Sequence, residues 1–152
     1  MKLNYRVITH EDIDAVTELE RSSFSRPWPR SAFEEIVDKE DATYYLAEDV
    51  DNGKIVGGLV IFHILDEGDI TNVAVAEDYR GQGIATSLME YALEQGEAEG
   101  ILDFTLEVRA GNEPAIRVYE KNGFEGVGIR PGFYEEPKED ALVMWRYHEE
   151  QE

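Results

Sequence analysis

The stretch Ile70 to Ala92, ITNVAVAEDYRGQGIATSLMEYA, constrains the fold more than any other part of this 152-residue chain. Asn72 to Val75 give extended character, Gly81 and Gly83 break it, and Ile84, Leu88, Tyr91 and Ala92 recur at helical spacing. A strand, a glycine turn and a helix are predicted. Glycine lets a backbone approach a ligand closely, and the first N–H groups of a helix have no intrahelical acceptor. With the positive end of the helix dipole, those donors suit a phosphate or pyrophosphate. The phosphate lysine of a P-loop is missing and the pattern is not GxGxxG, so nucleoside-triphosphate and Rossmann sites lose ground. An ordinary strand-to-helix connection also accounts for such glycines.

Around this stretch the predicted order is strand, two helices, three strands, helix, strand, helix, two strands. Leu3 to Thr9 reads as a strand, and Thr9 with Asp12 three residues on marks a helix start that runs to about Phe24. Pro27 and Pro29 interrupt it, and Ser31 to Val37 resumes helix. The loop carrying Trp28 makes a substrate wall or, equally, a plug for the core. Thr43 to Val50 and Ile55 to Leu65 flank an Asn52-Gly53 hairpin turn, with Gly57-Gly58 marking a bulge or close packing. The central helix extends to about Gly96. Leu102, Phe104, Leu106 and Val108 then share one strand face, and Asp103, Thr105 and Glu107 the other. Asn112 opens a helix with Pro114 in its first turn and Asn122-Gly123 at its end. Phe124 to Ile129 and Ala141 to Tyr147 are strands joined by a long loop through Pro131 and Tyr134, and His148 to Glu152 read as frayed. This is a single α/β (α+β) three-layer domain over residues 1–152.

Composition narrows the partners. The net charge is −20, with eight acids against one lysine from Glu34 to Asp51. Such a surface repels nucleic acid and favours cationic partners, although solubility or salt adaptation explains it as well. No run is long enough for a membrane span and the start lacks a signal-peptide core, so a cytoplasmic protein is expected. The absence of cysteine excludes a thiol nucleophile and thiolate metal sites. His10, His63 and His148 lack metal-ligand spacing, and no metal is expected.

Three residues have acid–base potential. Glu107 can accept a proton if burial raises its pKa, Tyr119 can donate one, and Asn112 stands at a helix start. Taken singly, each has a simpler account: a solvated glutamate, a core tyrosine and an N-cap. Together, Leu106-Glu107-Val108-Arg109, Asn112 and Ala115 to Phe124 resemble the LEVR…N…AxxxYexxGF pattern of the GNAT superfamily, the acetyl-CoA-dependent N-acetyltransferases. The similarity is greatest to the ribosomal-protein-alanine N-acetyltransferase branch. It extends to Pro27-Trp28 with Phe33, to the VAV strand and the Arg80 to Ala85 turn, and to Ile129-Arg130, Tyr134 and Glu139 to Ala141. Where many relatives have a glycine, this turn ends in Ala85.

The resemblance implies a GNAT fold, a mixed sheet of about seven strands splayed at the cofactor site and flanked by about four helices. It implies Glu107 as general base and Tyr119 as general acid. Acetyl-CoA would contact Val73, Ala74, Val75, Arg80, Gly81, Gln82, Gly83, Ile84, Ala85, Thr86, Asn112 and Tyr119. The acceptor would meet Trp28, Phe33 and Tyr134. A protein N-terminal α-amine is the implied acceptor, and the chain would act as a monomer or homodimer. Two other functions fit the same residues: acetylation of a small cationic amine such as a polyamine, and non-catalytic binding of acyl-CoA.

Overall fold

A computed structural model describes residues 1–149. Seven strands form one sheet in the order β1-β2-β3-β4-β5-β7-β6. They are β1 (Leu3–Val7), β2 (Ala42–Asp49), β3 (Lys54–Ile64), β4 (Glu67–Val75), β5 (Asp103–Arg109), β6 (Glu125–Tyr134) and β7 (Glu139–Arg146). Four α-helices accompany them: α1 (Ile13–Ser23), α2 (Arg30–Val37), α3 (Ile84–Ala98) and α4 (Glu113–Lys121). Neighbouring strands are antiparallel except β4 and β5, which are parallel.

Adjacent side chains of a strand point to opposite faces, and β2 uses that alternation to carry both helical layers. The Tyr44 ring meets Phe33 of α2 edge-on at 5.9 Å, whereas Tyr45 meets Tyr91 of α3 at 5.9 Å. Thus α2 and α3 cover opposite faces, with α1 beside α2. The core lies on both sides of β2 to β5, where Leu46, Leu59, Leu88, Met89 and Phe104 have no exposed surface. Gly58 is required by packing, because a Cβ there would overlap the Tyr44 ring. Among the described residues no helix is long and apolar enough to cross a membrane.

Three local expectations are corrected. The segment expected to be a loop through Tyr134 is strand: β6 continues to Tyr134, with a register break between Arg130 and Tyr134. The break takes Pro131 out of the ladder, and β6 is an edge strand, where proline is tolerated. Leu102 precedes β5 and is exposed, so the apolar face is Phe104, Leu106 and Val108. His148 is tied down, its backbone N–H donating to Asp103 Oδ1 at 2.8 Å, while residues 150–152 of the expected frayed end lie outside the described residues.

Candidate active site

The two parallel strands pair only through Glu67–Asp103, Gly68–Phe104 and Asp69–Thr105, and then part. The gap opens into a cleft of about 640 Å³. Its walls are the end of α1 with the 23–28 segment, β4 from Ile70 to Val73, β5 from Leu106 to Arg109, and the tip of the β6–β7 hairpin. A bulge lies beside the parting point. Gly58 pairs with Ala74 and Val60 with Thr71, so Leu59 faces both Asn72 and Val73. Asn72 takes up the extra residue at φ 57°, a left-handed conformation that asparagine enters more readily than most residues.

Strand alternation that buries Phe104, Leu106 and Val108 turns Glu107 to the other face, where it is half-buried beside the cleft. Its Oε1 accepts a hydrogen bond from Arg130 at 3.1 Å. From α4, the Tyr119 ring reaches the same cleft and packs edge-on against Phe124 at 6.2 Å. Burial, with a smaller contribution from Tyr134, pushes the Tyr119 phenol above its ordinary value, so it keeps its proton through the neutral range. Asn112 caps α4, its side-chain oxygen accepting from the Ala115 N–H at 3.3 Å, and also borders the cleft.

The outer walls are aromatic. Trp28 packs 5.8 Å from Phe33 and 6.1 Å from Phe62 while bordering the cleft. It therefore plugs the core and lines the wall at once. Phe33 has no exposed surface and stands behind Trp28; it backs the wall and does not reach an acceptor. Opposite, the Arg109 guanidinium lies 4.5 Å over the Tyr134 ring and donates to the carbonyls of Pro137 at 2.8 Å and Glu135 at 3.2 Å. Arg109 thereby fastens β5 to the hairpin tip.

The glycine turn forms a second feature beyond the end of β4. Gly81 and Gly83 have φ of 77° and 78°, and the space beside each is open. Ser87 N–H bonds the Gly83 carbonyl at 3.1 Å, which leaves the amides of Ile84, Ala85 and Thr86 without an intrahelical acceptor. Arg80 donates from Nε to the Val75 carbonyl at 3.1 Å and is otherwise exposed. The turn is anchored by the Tyr79 hydroxyl, which donates to Asp49 at 2.9 Å and accepts from Asn52 at 3.0 Å. The side chains of Ala74 and Ile84 are buried, so only their backbones can meet a ligand. The half of β4 that leaves β5 thus runs from the cleft, along Ile70 to Val73, to an anion-compatible turn beyond Val75, an arrangement that fits a long ligand with a phosphorylated end. Among the described residues no group of three His, Cys, Asp or Glu side chains is arranged to hold a metal.

Residues 13–124 match the profile of the acetyltransferase (GNAT) family. The chain belongs to that family. As a GNAT enzyme it is an N-acetyltransferase that uses acetyl-CoA as acyl donor. It is 38% identical over 136 residues to a Bacillus subtilis (strain 168) protein provisionally named a ribosomal protein bS18 alanine N-acetyltransferase, covering 89% of each chain. Identity to the Escherichia coli (strain K12) ribosomal protein bS18 alanine N-acetyltransferase is 32% over 135 residues, 88% of this chain and 89% of that one. The crystal structure of the Escherichia coli ribosomal-protein-S18-alanine N-acetyltransferase superposes with a TM-score of 0.88 at 28% identity, covering 99% of this chain and 97% of that one.

Of the residues selected from sequence in this GNAT enzyme, Glu107, Tyr119, Asn112, Val73, Trp28 and Tyr134 meet in the cleft, whereas residues 80–86 make the separate turn. Sequence reasoning missed roles for Arg109 and Arg130, although both stand in the quoted motifs, and missed Glu20 altogether; Asn72, expected to be extended, is instead left-handed at φ 57°. Glu20 carries no sequence signal. For Asn72 there was one: an asparagine inside a run of strand formers suits a left-handed turn.

Proposed function

We propose that this enzyme moves the acetyl group of acetyl-CoA to the N-terminal α-amine of a protein, with a ribosomal protein beginning in alanine as the first candidate acceptor, in the cytoplasm. The observation that carries this reading is the open cleft with Glu107 and Tyr119 on its walls, flanked by the Trp28 segment and the Tyr134 hairpin. Such a groove admits an extended chain end. The two relatives named for ribosomal protein bS18 alanine support the acceptor.

Bound acetyl-CoA supplies an activated thioester. Arg80 and the backbone of Gly81, Gln82, Gly83, Ile84, Ala85 and Thr86 would hold its phosphates, with Val73, Ala74, Val75 and Asn112 along its length. The acceptor ammonium would replace the Arg130 guanidinium beside Glu107, and Glu107 would take its proton, directly or through a water. Tyr119, kept protonated by burial, would give a proton to the departing sulfur. Trp28 and Tyr134 would bound the peptide on either side.

The test measures thiol release from acetyl-CoA with peptides beginning in alanine and other small residues, an N-terminally blocked control, and spermidine. Turnover on free peptide N-termini alone is expected. Turnover on spermidine alone would transfer the function to small-amine acetylation, for which the acidic surface is suited. Glu107→Gln and Tyr119→Phe should each lower kcat by about 10²-fold or more, the usual range for losing one proton-transfer group, while still binding acetyl-CoA.

A further inference from the structure

One carboxyl on the cleft wall has no part in that chemistry. Glu20, in the last turns of α1, borders the cleft yet has no exposed surface. Glutamate is almost never fully buried unless paired. The groups facing it are neutral: the Tyr44 hydroxyl of β2 at 3.4 Å, and the Asn72 side-chain amide of β4 at 3.4 Å from each carboxyl oxygen. Tyr44 in turn lies across Gly58 of β3, where no Cβ fits. Glu20 therefore ties α1 to β2 through Tyr44 and to β4 through Asn72.

That residue occupies the left-handed bulge beside the point where β4 and β5 separate. Bulges re-aim a strand and end its pairing, and they persist where the surroundings fix them. Here Glu20 fixes the bulge from α1, both hydrogen bonds from the Asn72 amide nitrogen ending on its carboxyl, while the neighbouring Thr71 hydroxyl donates to the Asn72 side-chain oxygen at 3.0 Å.

We propose that Glu20 is a positioning residue of the transferase: from α1 it holds Asn72, and with it the β4 bulge, so that Val73 faces the cleft where the thioester binds. The inference rests on that cleft being the acetyl-CoA site, and not on the identity of the acceptor. The loss of Glu20 also frees the Tyr44 hydroxyl, but it reaches the β4 bulge through Asn72, so for acetyl-CoA binding the two residues form one unit.

The experiment titrates acetyl-CoA into purified enzyme and measures KM and kcat for E20A, E20Q, N72G and the E20A/N72G double variant. N72G keeps the left-handed turn accessible and removes the side-chain amide, with its bonds to Glu20 and to the Thr71 hydroxyl. E20A and N72G should each raise the acetyl-CoA Kd and KM about tenfold, the scale of a coupled pair, with kcat at saturation changing less. The double variant should be no worse than the weaker single one, and E20Q, which keeps an oxygen for the Asn72 amide, should stay close to wild type. Additive effects, an unchanged Kd in N72G, or E20Q as impaired as E20A would overturn the proposal. If E20A does not fold, N72G and E20Q decide the matter by the same criteria. Should wild type bind acetyl-CoA but acetylate none of the peptides, the acceptor reading falls while the Kd comparison still judges Glu20.

Discussion

Glu107 and Glu20 are both glutamates on the wall of one cleft, and their surroundings make them different chemical groups. Glu107 is partly open to solvent and faces the guanidinium of Arg130. Glu20 is closed off, and burial pushes its carboxyl up to about 7, against the hydrogen bonds from Asn72 and Tyr44 that favour the charge. A carboxyl whose folded pKa lies above its unfolded value of 4.5 adds stability that is fully present below about pH 4.5. That stability is lost as pH rises through about 7, where folding must bury a charge. E20Q should therefore gain on wild type between pH 4.5 and 7.5, by up to about 3 kcal/mol in urea unfolding, and gain nothing further above that range. A difference independent of pH would place the burden elsewhere. None of this was legible in the sequence, where Glu20 is one acid among 34 on an amphipathic helix. Its partners stand 24 and 52 residues away, and burial is set by where those residues arrive.

At the scale of elements the sequence was far more readable, because each element's pattern is local. The order of strands and helices, the Asn52-Gly53 hairpin, the Asn112 cap and the glycine turn all follow from spacing and from residues with restricted backbones. The parts that were not legible depend on neighbours. Pro131-Gly132 has the chemistry of a turn, and only pairing with β7 on either side of the break keeps β6 extended to Tyr134. Strand order likewise depends on pairings between distant segments, such as β5 with β7. The glycine turn allows a direct check. Gly83 caps α3 at φ 78° with open space beside it, so an added methyl meets no neighbour and only the backbone conformation resists it. Gly83→Ala should cost about 1–2 kcal/mol, lowering Tm by roughly 3–6 °C, and should weaken acetyl-CoA binding more than it slows the bound enzyme. Calorimetric titration alongside thermal melts separates the two effects.

For the whole molecule the governing quantities are charge and the shape of the sheet. A net charge of −20 opposes an anionic acyl donor and attracts a cationic acceptor, so added salt should act on the two substrates with opposite sign. Raising salt from low to moderate concentration should lower KM for acetyl-CoA and raise KM for a basic peptide, each by a fewfold, at constant pH. Equal shifts in one direction would mean that local contacts, and not the overall field, set both affinities. The parting of β4 and β5 has a consequence of another kind. Most sheets have two edges, at the ends of the strand order; this one has a further pair inside it, since no ladder joins the strands beyond Asp69 and Thr105. An unpaired strand is a template for any extended chain that can match its amides. Under the proposed function the donor substrate would be a missing rung as much as a reactant, its own amides taking up the backbone pairing that β4 and β5 leave open.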